Sequence, residues 1–278
     1  MKHIVSQEWL FERGTDDHTV IVDCRFVLGN PDAGRRSYEE DHIPGAVYFD
    51  LEEDLSSPIK EHGGRHPLPD WDAFAKRLGE AGIGNESTVI AYDDQGGAMA
   101  SRFWWMLKYL GHDRAYVLDG GYTKWKEAGY PVTEEPAAAH EASFIPHPQP
   151  HMLVGMEEVK QRIGRPETVL IDSRESKRYE GLEEPIDKVA GHIPGARNHF
   201  WKDSLNGQGG WKTAEEQRER FAGLPRDQEI IVYCGSGVTA CPNVLALTEA
   251  GFTNVKLYAG SWSDWISYEE NPIATGEK

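Results

Sequence analysis

The chain contains the same pattern twice. VIVDCR at residues 20–25, followed by DHIPGAVYFD at 41–50, returns as VLIDSR at 169–174 followed by GHIPGARNHF at 191–200. TVIAYDD (88–94) returns as EIIVYCG (229–235), and YLGHDRAYVLDGGYTKW (109–125) as EAGFTNVKLYAGSWSDW (249–265). Motifs that recur in one order require one fold built twice, each copy with its own core. Between them TEEPAAAHEASFIPHPQPHM (133–152) is rich in Pro, Ala and His without apolar periodicity, and reads as a linker. Its three histidines have no Cys or carboxylate at ligand spacing, so a solvated linker is expected there rather than a metal site. The expected organisation is a domain over 1–132, a linker over 133–152 and a second domain over 153–278.

Within each half, short β-branched runs alternate with helical patterns. VIVDC, TVIAY and AYVLD read as strands in the first half, and TVLID, EIIVY and NVKLY in the second. Amphipathic segments such as 71–82 and 101–111 lie between strands. Buried strands alternating with helices predict an α/β fold, each domain a mainly parallel sheet with helices on both faces. Ligands in such sheets sit at the carboxyl ends of strands, where loops lead into helices.

Composition narrows the partners. A net charge of −17 argues against nucleic acid, whose phosphates need basic surface. No stretch reaches the length of a membrane span, and MKHIVSQEWLFERG carries no continuous apolar core of a signal peptide. Three cysteines, Cys24, Cys234 and Cys241, suit a reducing cytoplasm better than a disulfide framework. If the substrate is an anion, the site must supply local positive potential against this overall field.

Chemistry concentrates in EIIVYCGSGVTACPN (229–243). An apolar strand ends at Cys234, Gly235 and Gly237 follow it closely, and Pro242 is tolerated only in the first turn of a helix. The helix is therefore expected to start near Thr239 to Pro242. Glycines let the loop turn so that consecutive N–H groups converge, and at a helix N-terminus such groups form an anion site. Helix N-termini also favour thiolate over thiol. Two chemistries use a loop of this kind. A cysteine phosphatase needs an arginine six positions after the nucleophile, where this chain has Ala240. Sulfur transfer needs only a cradle of donors for a persulfide.

HIPGA in both halves, the CGSGVTA loop and the paired GGYTKW/GSWSDW segments resemble the tandem-domain rhodanese family of sulfurtransferases, and the resemblance covers essentially the whole chain. It implies two tandem rhodanese-like domains of which only the second carries the cysteine. Asp93 stands opposite Cys234, so the first half is expected to be catalytically inert. The resemblance makes Cys234 the sulfur-carrying nucleophile, with the backbone of Gly235, Ser236, Gly237, Val238 and Thr239 as the persulfide cradle. It gives Arg178 the approach to the anionic donor. Ser236 and His42 match positions that move protons in the mercaptopyruvate-using branch, although HIPG is also a turn and His192 repeats it, so a structural role for His42 is equally open. Arg65 and His66 in GGRHPLP are candidate cleft cations, with a surface turn as the other reading. Cys241 is read as a small buried residue or a resolving thiol. The aspartates and arginines repeated in both halves (Asp23, Arg25, Asp172, Arg174) read as structural.

The CGSG loop points to 3-mercaptopyruvate as donor, but the second arginine usual in that branch is absent, and Lys188 is the cation nearby; thiosulfate stays open. The implied reaction is a double displacement through a Cys234 persulfide, from thiosulfate or 3-mercaptopyruvate to cyanide or a thiol acceptor. No metal or organic cofactor is implied. The alternative is a carrier or regulatory module that receives sulfur from a protein partner, and a phosphatase is the third reading.

Overall fold

A computed structural model describes residues 2–14, 18–138 and 140–276 of the protein. The chain forms two compact units. One comprises Met1–Ser57, Leu68–Gln149 and Leu205–Trp211; the other comprises Pro58–Pro67, Pro150–Ser204 and Lys212–Lys278.

The first unit holds a five-stranded sheet of β1 (Ile4–Val5), β2 (Thr19–Asp23), β3 (Val47–Tyr48), β4 (Thr88–Tyr92) and β5 (Ala115–Leu118), in the order β1-β5-β4-β2-β3. The second holds β6 (Thr168–Asp172), β7 (Arg197–Asn198), β8 (Glu229–Tyr233) and β9 (Val255–Leu257), in the order β7-β6-β8-β9. Among the described residues every strand pair is parallel. The central strands β4 and β8 are buried almost throughout, which is why they read as apolar runs rather than alternating ones.

Topology fixes where each sheet opens. From the adjacent strands β6 and β8 the chain leaves in opposite directions, β6 to β7 on one side and β8 to β9 on the other. Right-handed crossovers in opposite directions put helices on opposite faces and leave a crevice beyond the carboxyl ends of β6 and β8. Arg174 and Cys234 follow those two strand ends.

The repeated HIPGA motif is a turn. Ala196 donates its N–H to Ile193 O at 3.0 Å, and Gly195 sits at φ +80°, as the third position of a type II turn requires. Ala46, Ile43 and Gly45 repeat the arrangement. The turn is clamped to the sheet, since Ile193 N–H donates to the Tyr233 hydroxyl at 3.1 Å and Ile43 N–H to Tyr92 at 3.3 Å. Behind it Ile193, Ala196, Ile231, Tyr233, Trp262 and Trp265 share one buried core.

The segment read as a linker runs along the first unit as far as Gln149. Ala142 N–H bonds to Gly79 O and His147 N–H to Leu110 O, each at 2.9 Å. Among the described residues no helix is long and apolar enough to cross a membrane.

Candidate active site

Cys234 follows β8 directly and is 1 % exposed. Its backbone is pinned on both sides. The Cys234 N–H donates to Ser261 Oγ at 3.1 Å, and its carbonyl accepts from Trp262 N–H at 3.0 Å. Gly237 donates its N–H to the Cys234 sulfur at 3.2 Å. This is possible because Gly237 lies at φ +78° with its α-carbon against the Ala259 carbonyl, where a side chain would clash. The helix Cys241–Glu249 begins behind the loop, with Pro242 in its first turn. Gly235, Ser236, Gly237 and Val238 are buried and Thr239 half-buried around the sulfur-bearing loop. Cys241 is buried and its Sγ donates to Gly237 O at 3.3 Å, a packing role.

The first repeat offers an internal comparison. Asp93 stands at the position equivalent to Cys234 and is 1 % exposed. Its Oδ1 accepts the N–H groups of Gln95 and Gly97, and its Oδ2 those of Met99 and Ala100, at 2.8–3.0 Å. The loop is thus an anion cradle already occupied by a side chain. Counting along the repeat, Gln95, Gly97 and Met99 correspond to Ser236, Val238 and Ala240. Among the described residues the backbone N–H groups of these three have no acceptor. The donors that grip a carboxylate in one half have no such partner beside the cysteine in the other.

Positive charge reaches this loop through a ladder of alternating ions. Asp172 and Arg174, both 2 % exposed or less, form a bidentate pair. Burial works against the Arg174 charge, but Asp172 more than offsets it and raises the Arg174 pKa. Arg174 also meets Glu184 at 3.3 Å; Glu184 takes Nε and Nη2 of Arg178; and Arg178 Nη2 lies 3.0 Å from Asp187 Oδ2. Asp187 Oδ1 in turn pairs with Arg65. The ladder ends over Gly235, where an added Cβ would lie 3.0 Å from Arg65 Nη2 and 3.5 and 3.7 Å from the two terminal nitrogens of Arg178. Glycine at 235 makes room for two guanidinium groups. Burial pushes the Arg65 pKa down from the ordinary guanidinium value, and the neighbouring Cys234 pulls it the other way.

Arg65 and His66 reach Cys234's unit on the segment Pro58–Pro67. Gly63 N–H bonds to Asp264 Oδ1 at 2.7 Å, Arg65 N–H to Ser263 Oγ at 3.1 Å, and His62 stacks on Tyr268 with ring centroids 4.0 Å apart. So anchored, the segment places buried His66 with Nδ1 2.8 Å from the Ser236 hydroxyl. The imidazole partnering Ser236 is therefore His66. His42 belongs to the first unit, fully buried, stacked on Tyr38, with Nδ1 2.6 Å from Tyr38 O and Nε2 3.0 Å from Glu135 O. His192 repeats the stack on Tyr179 and the bond to its carbonyl at 2.7 Å. Both ring nitrogens of His42 thus face backbone carbonyls, an arrangement that suits the structural of its two readings. Lys188 is exposed on the segment that carries Asp187, whereas the cation beside Arg178 is Arg65.

Sequence reasoning gave no role to Ser261, Asp187 or Glu184. The first had a signal, since Ser261 stands where the repeat has Gly121, and both adopt positive φ (57° and 56°).

Comparison with known proteins gives a consistent result. The model of the rhodanese-like domain matches residues 6–128 and again 155–268. A probable 3-mercaptopyruvate sulfurtransferase from Pseudomonas aeruginosa is 42 % identical, over 99 % of this chain and 98 % of its own. A thiosulfate sulfurtransferase from Cricetulus griseus is 35 % identical over 95 % of this chain and 91 % of its own. Among solved structures, a 3-mercaptopyruvate sulfotransferase from Escherichia coli superposes with a TM-score of 0.82 at 34 % identity, covering 95 % of this chain and all of that one.

Proposed function

As this chain belongs to the rhodanese family and is a sulfurtransferase, we propose that it carries a sulfane sulfur on Cys234 from a small anionic donor to cyanide or a thiol, with 3-mercaptopyruvate the better donor and thiosulfate the poorer.

In the first step the Cys234 thiolate attacks the donor sulfur, and its electron pair forms the new S–S bond. With thiosulfate, the old S–S pair leaves on sulfite. With 3-mercaptopyruvate, the C–S pair leaves on carbon as an enolate, which takes the proton surrendered by the donor thiol and becomes pyruvate. In the second step the acceptor attacks the outer sulfur, the S–S pair returns to Cys234, and thiocyanate or a new persulfide departs. The observation that carries this reading is the cradle. The N–H of Gly237 meets the sulfur, and the amides of Ser236, Val238 and Ala240 correspond to those that hold the Asp93 carboxylate. Such a cradle stabilises negative charge on the outer sulfur.

Donor preference follows from protons. Sulfite leaves as an anion and needs none, whereas the carbon of the mercaptopyruvate leaving group must be protonated. Ser236 of the cysteine loop and His66 stand at hydrogen-bond distance from each other and suit that transfer. Arg178 and Arg65 are the groups that would hold the donor's anionic end. Intact-mass measurement after each donor, followed by cyanide, tests the proposal. The expected result is one added sulfur atom on wild type, lost on cyanide addition and absent from Cys234→Ser. Thiocyanate release by the serine variant would overturn it.

A further inference from the structure

We propose that Asp187 occupies, in the resting enzyme, the place of the donor's anionic group, and that the donor binds by displacing it from Arg65 and Arg178. This rests on the reading of those arginines as the donor-binding pair.

The Asp187 carboxylate spans two guanidinium groups from distant parts of the chain, Oδ1 to Arg65 Nη1 and Oδ2 to Arg178 Nη2. Both groups border Gly235, next to the sulfur. A planar anion with one oxygen on each guanidinium is the pose a carboxylate-bearing donor would take there. The Asp187 side chain is 3 % exposed and Cys234 1 %, so a donor has to move something to reach the sulfur.

Charge balance favours exchange over addition. Arg65, Arg174 and Arg178 face Asp172, Glu184 and Asp187, three charges against three. An added anion would meet a neutral cluster beside a thiolate, whereas an anion that replaces Asp187 leaves the balance unchanged. The arginines stay on anchored segments through the exchange. Arg178 keeps its bidentate pairing with Glu184, which Arg174 also anchors. Arg65 keeps its backbone bond to Ser263. Arg65 Nε is buried without a hydrogen-bond partner, a donor that Asp187 leaves unused.

Glu184 Oε1 accepts the N–H groups of Ile186 and Asp187 at 3.1 and 3.0 Å, so the exchange turns on the Asp187 side chain, in a segment with little core of its own. Residues 182–189 form no helix or strand, and Leu182 (70 %), Ile186 (44 %) and Val189 (39 %) face solvent instead of a core. Fixed points bracket the segment: Leu182 N–H bonds to Lys177 O at 2.9 Å, and Trp262 Nε1–H to Val189 O at 2.8 Å.

The test compares alkylation of Cys234 by iodoacetate, an anion, and by iodoacetamide, its neutral analogue. Asp187→Asn should raise the iodoacetate-to-iodoacetamide rate ratio about fivefold or more, and lower the KM for 3-mercaptopyruvate by a similar factor. Arg65→Ala should lower the ratio. An unchanged or reduced ratio in Asp187→Asn would mean that Asp187 only steadies the arginines, and would overturn the proposal. On wild type, whose folding is not at issue, saturating pyruvate should speed tryptic cleavage after Lys188; no change, or protection, would count against displacement. Alkylation needs no turnover. A protein that transfers sulfur normally but shows no ratio change refutes this inference alone, and one with the ratio change but no persulfide refutes only the sulfur-transfer reading.

Discussion

Gly237 points its backbone N–H at the sulfur of Cys234, 3.2 Å away, from a left-handed conformation that leaves no room for a β-carbon. Gly237→Ala should therefore lose the cradle as well as stability. A cost of about 2–4 kcal/mol in denaturant unfolding is expected, from positive φ and the clash with the Ala259 carbonyl combined. Persulfide formation should fall at least about 100-fold, the scale of losing an oxyanion-type donor. A variant with native stability and rate would show that the loop tolerates another shape.

Ser261 offers a finer test because two effects oppose there. Its φ of +57° costs a non-glycine residue about 1 kcal/mol or more, while its hydroxyl accepts the Cys234 N–H and donates to Tyr258 O at 2.9 Å. Ser261→Gly relieves the strain and loses the bonds; Ser261→Ala keeps the strain and loses them. The glycine variant should be the more stable by about 1 kcal/mol, although alanine is the better helix former. The reverse order in a denaturation experiment would remove the strain argument.

Asp93 fills its cradle with four backbone hydrogen bonds at 1 % exposure. Asp93→Ala leaves those donors buried and unpaired, and should cost about 3–5 kcal/mol in stability; Asp93→Asn, which keeps one acceptor oxygen, should fall between. Calorimetric scans of the three proteins decide it, and equal stability would mean that water replaces the carboxylate.

Ser236→Ala should separate the donors. Removing the hydroxyl that meets His66 is expected to slow the 3-mercaptopyruvate half-reaction by about 100-fold, the usual scale of general acid–base help, and to change the thiosulfate rate by less than about threefold. Equal losses with both donors would assign Ser236 to loop shape instead of proton transfer.

Acid should destabilise the fold through histidines that are kept neutral. Burial first, then Lys108 and Lys2, lowers His3 to about 4; burial, then Arg220 and Arg197, lowers His199 to about 4. In the unfolded chain both return to about 6.5. Between these values the unfolded state binds more protons, so stability declines as pH falls from about 6.5 to 4 and this contribution levels off below. After discounting for partial solvent access, about 1–2 kcal/mol per histidine is expected. Urea unfolding from pH 7.5 to 4.5 should have a shallower slope in His199→Gln, and an identical slope would exclude that residue.

The long strands were legible because burial on both faces leaves an apolar run of strand length, as in IIVY before Cys234. The two-residue strands β1, β3 and β7 were not, since two residues carry no period and exist only through pairing with a neighbour. The cysteine loop could be read from its own composition, because glycines and a proline have local backbone meaning. The groups around it could not. His66 and Ser236 are 170 positions apart, and Arg65 and Asp187 are 122 apart, so only the folded chain pairs them. The family resemblance left His42 of HIPGA between proton transfer and a structural role, and the backbone carbonyls on both its ring nitrogens, visible only in the fold, favour the structural one.

The segment Pro58–Pro67 is encoded within the first repeat yet folds as part of the unit that bears Cys234, while Leu205–Trp211 makes the opposite exchange. A gene cut at the boundary between repeats would yield a polypeptide with the thiol but without Arg65 and His66. Such reciprocal lending makes each unit depend on a stretch of chain from the other repeat. Neither repeat is complete by itself, the one that carries Asp93 no less than the one that carries Cys234.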